Sequence, residues 1–169
     1  SDGYRYKDGK KLSMVLMTTA QDKTRELVQV FLQGQWKKVG IEVKIKNEPA
    51  RVFFGETVRQ AKFPHMAMYA WVGSPDNPPV AQLHTKNIPT KANGFSGQNR
   101  TGWSNKVADK ILEQVYYEFD LEKRKDLMKQ LMVEYKNELP ILPLFMRAEI
   151  AVLPRQLKGY YITGHQHHG

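Results

Sequence analysis

The chain contains no cysteine. That removes disulfides, thiolate metal sites and cysteine nucleophiles together, and leaves the compartment open. No apolar run approaches the roughly 20 residues that a membrane-crossing helix needs. There is no secretory signal at the start and no initiating methionine. Ser1-Asp2-Gly3 reads as a cut end, so the missing signal places the protein in no compartment. Catalytic signatures are missing as well: no Gly-x-Ser-x-Gly elbow, no phosphate-cradling glycine loop ending in Lys-Ser or Lys-Thr, and no His-Glu-x-x-His. Paired acids such as Glu118 and Asp120 lie on a helix boundary, where capping accounts for them, and Gly94-x-x-Gly97 is too common to carry a function. No enzyme and no cofactor are expected. Internal repeats and low-complexity segments are also absent.

What is there is ordinary in bulk. With 169 residues, 41% hydrophobic and 25% charged, the chain can fold as one domain with a full core. Its net charge of +9, from 26 basic and 17 acidic residues, invites a nucleic-acid-binding module as one reading. The basic residues are dispersed, however. Lys10-Lys11, Lys37-Lys38, Lys44, Lys46, Lys106, Lys110 and Lys123-Arg124-Lys125 punctuate different elements, with no interleaved aromatics of an RNA-binding pattern. A solvated surface accounts for them better.

Along the chain, Asp8-Gly9 marks a turn and 11–18 reads as a strand covered on both faces. Thr19 or Asp22 is placed to cap a helix running to about Val39, with Leu27, Val28, Phe31, Leu32 and Trp36 inward and Gly40 as its stop. Ile41, Val43 and Ile45 then alternate with Glu42, Lys44 and Lys46. Two strands around one long helix make a β-α-β unit with parallel pairing. Pro49 starts a helix to about Ala61 that offers Val52, Phe53 and Val58 for packing. The glycine- and asparagine-rich stretch 86–103 is a long loop, of the kind that is functional or mobile. Ser104 or Asn105 caps a helix with Val107, Ile111, Leu112, Val115 and Phe119 inward. Asp120 caps another, with Leu127, Leu131, Met132 and Tyr135 inward, ended by Pro140. Two short apolar strands, 141–145 and 149–153, follow.

The most informative stretch is 66–79. Met66 to Val72 carries no charge and no breaker, as an interior strand should, and Gly73, Ser74 and Pro75 stop it. Asn77-Pro78 then opens a helix to about His84. Trp71 thus sits at the carboxyl end of a strand, where open α/β sheets bind ligands. It reads either as core or as an apolar ligand-facing surface. Asp76 reads as a cap or turn residue, or as a ligand contact. His65 stands alone. His165, His167 and His168 could bind a transition metal, but a terminal segment is the simpler reading, and no metal site is expected.

Four passages in order carry a resemblance that spans nearly the whole chain. They are Asp8-Gly-Lys-Lys-Leu12; Leu32-Gln-Gly-Gln-Trp-Lys-Lys-Val-Gly-Ile-Glu-Val43; Trp71-Val-Gly-Ser-Pro-Asp-Asn-Pro78; and Trp103-Ser-Asn105 through Asp109, Asp120, Arg124 and Glu134 to Pro140-Ile-Leu-Pro-Leu144. Together they resemble the C-terminal lobe of family 5 extracellular solute-binding proteins, the oligopeptide, dipeptide and nickel receptors of ABC importers. The resemblance implies one lobe of a periplasmic-binding-protein type II fold, an α/β architecture with a mostly parallel sheet flanked by helices. It implies a solute-binding lobe over 1–153 and a C-terminal extension over 154–169 that returns toward the missing N-terminal lobe. It also implies a periplasmic or extracellular monomer, with or without a lipid anchor, that serves ABC permease subunits and binds a small peptide or other solute, with no nucleic acid. Relatives pair the peptide backbone with the strand matching Tyr69, Ala70, Trp71, Val72 and Gly73, and some place an aspartate at the position of Ser74 to hold the peptide ammonium. Serine cannot neutralise that charge; Asp76 is the nearest substitute. Arg59 falls where some relatives hold a ligand-contacting arginine.

Overall fold

The computed structural model describes residues 2–71, 77–146 and 152–159. It divides into two compact units, one of 1–70 and 81–106, the other of 71–80 and 107–169.

The first unit opens on a hairpin. Strands β1 (Tyr6–Lys7) and β2 (Lys10–Lys11) pair antiparallel around Asp8-Gly9, both at positive φ (51° and 72°). Two left-handed residues in a row give the turn twist that a tight hairpin needs. Then come β3 (Ser13–Thr19), α1 (Lys23–Lys38) and β4 (Glu42–Glu48), with β3 and β4 parallel in register from Ser13↔Glu42 to Thr19↔Glu48. The expected β-α-β unit is present. Asp22 caps α1 by accepting from the Arg25 N–H (3.1 Å), and Gly40 follows its end at φ +79°. On the far side of β3 lies β5 (Met66–Ala67), also parallel, giving the order β4-β3-β5.

Strand alternation assigns the two faces of the sheet. Met17 points to one face and closes on Phe53 and Val58, with Val15, Phe63, Ala67 and Tyr69 around them. Phe53 and Val58 come from α2 (Ala50–Val52) and the π-helical turn Phe53–Val58 that continues it. Helix α1 packs across β3 and β4, and the polar residues Glu42, Lys44 and Lys46 alternate on β4 as expected.

The inner face of α1 is rotated from the expected one. Leu27 and Phe31 are 71% and 63% exposed, while Gln29 is fully buried beside half-buried Val28, Leu32 and Trp36. The amides explain the rotation: Gln29 Nε2 donates to the Leu16 carbonyl (3.1 Å) and Gln33 Nε2 to that of Val43 (2.6 Å). Val52 is likewise exposed, one position off the Phe53 stripe.

Two short helical elements lead into the long loop. Helix α3 (Val80–Leu83) begins after Pro79 rather than at Pro78. A proline pushes the residue before it out of the α region, so Pro79 denies Pro78 the first helical position. A 3₁₀ turn, Thr85–Asn87, follows.

The stretch 86–103 is ordered around Asn99, which is fully buried. Its Nδ2 lies within hydrogen-bond distance of the carbonyls of Leu83, His84 and Trp103 (3.2, 3.2 and 2.8 Å), and its Oδ1 accepts from the Trp103 N–H (3.2 Å).

In the second unit, α4 (Lys106–Tyr117) buries Ala108, Ile111, Leu112 and Val115. Val107 lies one position off that stripe and Phe119 lies beyond the helix, so both are exposed rather than inward. Helix α5 (Leu121–Glu138) is capped by Asp120, which accepts from the Glu122 and Lys123 N–H groups, and ends at left-handed Leu139 before Pro140. Leu131 is buried there, whereas Met132, 100° around the helix, is exposed. The two apolar strands expected after Pro140 do not form in the described residues: 141–146 and 152–153 carry no strand and are exposed. Pro143 offers no donor. Residues 147–151 lie outside the described set.

Gly97 tests the loop. At φ +108°, a Cβ there would stand 2.1 Å from the Asn87 carbonyl oxygen, the same oxygen that accepts the Asn99 N–H (3.0 Å). Gly97→Ala should cost about 3 kcal/mol from strain and overpacking, read from the urea midpoint of the first unit. A loss below about 0.5 kcal/mol would mean that the loop does not hold that approach.

Candidate functional site

The segment after His65 is where the sequence placed a ligand strand, and its geometry differs from the expectation. Among the described residues only Met66–Ala67 form ladder pairs, with Leu16 and Met17. The strand is therefore short, and it lies at an edge of the described sheet rather than in its interior. Two further bonds extend its hold on β3: the Met68 N–H donates to the Met17 carbonyl (2.8 Å), and the Thr18 hydroxyl donates to the Met68 carbonyl (2.7 Å). Upstream, the Val15 N–H donates to His65 Nδ1 (3.2 Å), so His65 helps to seat the start of the segment on the sheet.

Beyond Met68 the side chains diverge. Tyr69 turns to the core, its ring edge-on to both Phe53 (6.2 Å) and Phe54 (5.9 Å). Such edge-to-face contacts fix a ring in place. Ala70 is exposed, and the indole of Trp71 is 48% exposed, which rules out full burial in the core. The division between the two compact units falls between Ala70 and Trp71. Val72, Gly73, Ser74 and Asp76 lie outside the described residues, as do His165, His167 and His168.

Arg59 immediately follows the π-helical turn and is exposed. Its Nη2 donates to the Gly94 carbonyl (3.4 Å). A residue that no sequence signal marked stands beside it: Arg100, whose Nη1 donates to the Arg59 carbonyl (2.5 Å) and whose Nη2 donates to Gln98 Oε1 (3.2 Å). Burial, with the Arg59 charge adding to it, pulls the Arg100 guanidinium below its usual range. Arg59 and Arg100 thus meet through one hydrogen bond, although the sequence divided them between a helix and a loop. Asn99, adjacent to Arg100, anchors it. A buried asparagine in a loop full of asparagines carries no distinguishing pattern, which is why both residues escaped notice.

Among the described residues no cluster of His, Asp or Glu is arranged to hold a metal ion, and no helix is long and apolar enough to cross a membrane.

Comparison with known proteins adds three kinds of match. Residues 1–94 fit the family model described as bacterial extracellular solute-binding proteins, family 5 Middle. Among curated proteins, the oligopeptide-binding proteins OppA and AppA of Bacillus subtilis are 25% identical over 154 residues and 28% identical over 165. The matches cover 90% and 94% of this chain, but only 27% and 28% of those proteins. Among solved structures, the oligopeptide-binding protein of Thermus thermophilus complexed with a pentapeptide matches with a TM-score of 0.77 and 35% identity. That match covers 86% of this chain and 27% of the other. Bacillus subtilis AppA in complex with a nonapeptide matches with a TM-score of 0.69 and 27% identity over 82% of this chain and 26% of the other. The chain therefore spans about a quarter of the length of these relatives.

Thr18 is the residue whose removal should loosen the site without emptying the core. Thr18→Val keeps the shape and strands the Met68 carbonyl, at a cost of about 1–2 kcal/mol. Amide exchange at 66–69 should accelerate more than exchange along β4. Equal acceleration across the whole sheet would show that the hydroxyl has no local role.

Proposed function

The chain belongs to the family 5 bacterial extracellular solute-binding proteins, and from that premise we propose that it supplies the C-terminal lobe of a receptor that closes on a short peptide or similar small solute for an ABC importer. Members of this family are transport binding proteins, not enzymes. The observation that carries the reading is the edge position of β5. It is bonded to β3 on one side, and no described strand lies on the other. An edge strand is a template for main-chain pairing with an extended peptide. Such pairing ignores side chains and so suits a receptor for many sequences.

In this reading Tyr69, Ala70, Trp71, Val72 and Gly73 present backbone to the ligand, and the half-exposed indole of Trp71 offers an apolar face for its side chains. Ser74, Asp76 and Arg59 take the polar ends of the solute. Residues 1–153 form the lobe and 154–169 an extension toward an N-terminal lobe. The whole protein acts outside the cytoplasm, as a periplasmic or lipid-anchored monomer that delivers solute to permease subunits. The basic residues behind the net charge of +9 are dispersed along the chain rather than gathered in one run, so the charge needs no polyanion to explain it.

A lobe by itself covers only part of a ligand, and tight small-molecule sites bury most of the ligand's surface. Titrating trialanine into this chain should therefore shift backbone amide resonances at 67–71, with a dissociation constant weaker than about 100 μM. Shifts confined to other segments would move the site elsewhere, and submicromolar calorimetric binding would contradict the two-lobe reading.

A further inference from the structure

We propose that Asn93-Gly94 is a modification site, at which the chain converts its own side-chain amide to a carboxylate through a cyclic imide, and that the turn around Thr90 holds the reaction off while it stays closed. The inference stands apart from the receptor reading and does not rest on it.

The electrophile and the nucleophile are neighbours in sequence. Asn93 is the one asparagine of this chain that precedes a glycine. Both residues are exposed, and Gly94 stands at φ +64° with open space where a Cβ would lie. Glycine has no side chain to crowd its own nitrogen. In the reaction, that nitrogen bonds to Cγ of Asn93. The Cγ–Nδ2 bond breaks, and Nδ2 leaves as ammonia with the proton of the Gly94 N–H. Water then opens the imide at either of its carbonyl–nitrogen bonds. One product is aspartate. The other is isoaspartate, in which the main chain runs through Cβ and Cγ. Water is the only co-reactant.

The turn opposes the first step. Thr90 and Asn93 cap each other: Asn93 Oδ1 accepts from the Thr90 N–H (2.8 Å), and the Thr90 hydroxyl accepts from the Asn93 N–H (3.3 Å). Asn93 Nδ2 donates to the Ile88 carbonyl (2.9 Å), so both ends of the amide are held by upstream residues. The Gly94 N–H donates to the Lys91 carbonyl (3.2 Å), and the Phe95 N–H to that of Thr90 (2.7 Å). To bring Cγ onto the Gly94 nitrogen, the amide must leave Thr90 and Ile88. These bonds first of all close a turn. They also make the reaction wait for a local opening, and openings of exposed turns are among the least costly in a fold.

The product changes the loop. A carboxylate at position 93 still accepts from the Thr90 N–H, but it has no donor for the Ile88 carbonyl. It brings a negative charge next to Gly94, whose carbonyl accepts from the Arg59 guanidinium (3.4 Å). Isoaspartate also lengthens the backbone between Thr90 and Phe95, against the bond that joins them. No reverse step restores the amide, so converted chains accumulate in proportion to how often the turn opens.

The test incubates the 169-residue chain in mildly alkaline buffer and reads every asparagine-bearing peptide by mass spectrometry, with aspartate and isoaspartate resolved. The same chain unfolded in guanidinium chloride gives the rate without the turn. Asn93 should convert about thirtyfold more slowly in the folded chain, the effect of two ordinary hydrogen bonds, and should yield isoaspartate in both. Thr90→Val removes the hydroxyl acceptor at an exposed position, so the variant should fold. It should speed conversion about fivefold in the folded chain and leave the unfolded rate unchanged. Asn93→Asp makes one product directly and should speed amide exchange at Gly94 and Phe95 about fivefold. Another asparagine converting ahead of Asn93 in the unfolded chain, or aspartate without isoaspartate, would overturn the site. Equal folded and unfolded rates, or a Thr90→Val chain no faster than its parent, would overturn the hold of the turn. Unchanged exchange in Asn93→Asp would overturn the effect on the loop.

Discussion

Strand β3 is bonded along both edges, and everything that positions the candidate site passes through it. On one side it holds β4 over seven paired residues. On the other it holds only Met66 and Ala67 by ladder pairing, and then Met68 by one backbone bond and one threonine hydroxyl. Its own residues Leu16, Met17, Thr18 and Thr19 are all buried. A central strand that is buried at four successive residues and paired on both sides cannot slip by one residue without turning its apolar side chains to the wrong face. The edge strand inherits that register. Where Tyr69 and Ala70 stand is therefore decided by β3, and only secondarily by the residues of the segment itself.

This dependence accounts for what could be read from the sequence and what could not. The β-α-β unit was legible because it is written in local terms: alternation in Ile41, Val43 and Ile45, a cap at Asp22, a glycine stop at position 40. The caps of α5 and its end at Pro140 were legible for the same reason. The length of the ligand strand was not. Met66 to Val72 has the composition of a buried strand, but composition cannot say how far a neighbouring strand runs alongside. Ladder pairing ends at Ala67 although β3 runs two residues further, to Thr19; there the Thr18 hydroxyl, not a ladder bond, takes the Met68 carbonyl. The rotation of α1 was hidden for a related reason. Hydrophobic spacing ranks Leu27 and Phe31 as inward, while two glutamines that reach strand carbonyls turn the helix away from them.

The site was half legible. The family resemblance drew attention to Arg59 and to the segment around Trp71; Arg59, Tyr69, Ala70 and Trp71 lie among the described residues, and Val72, Gly73, Ser74 and Asp76 lie outside them. Arg100 and Asn99 could not be singled out, because their importance lies in what they touch: Asn99 in the carbonyls of Leu83, His84 and Trp103, Arg100 in the carbonyl of a residue 41 positions earlier. A polar residue in a glycine-rich loop has no periodicity to betray it. Its partners are set by how the loop closes, and Gly97, which lets the chain pass against the Asn87 carbonyl, is part of that closure.

Receptors that accept many peptides face a conflict between affinity and indifference. Side-chain pockets give affinity at the expense of breadth, whereas main-chain pairing is blind to sequence but also blind to direction, since strands pair either way round. A fixed charge at one end resolves the conflict. It recognises a terminus that every peptide shares and thereby sets orientation without reading any side chain. An acid that holds the ammonium would do this from one end. The family resemblance puts Ser74 where some relatives hold that acid, and a hydroxyl cannot replace a carboxylate in neutralising a buried ammonium. In the proposed reading Asp76, two residues on, is the nearest substitute.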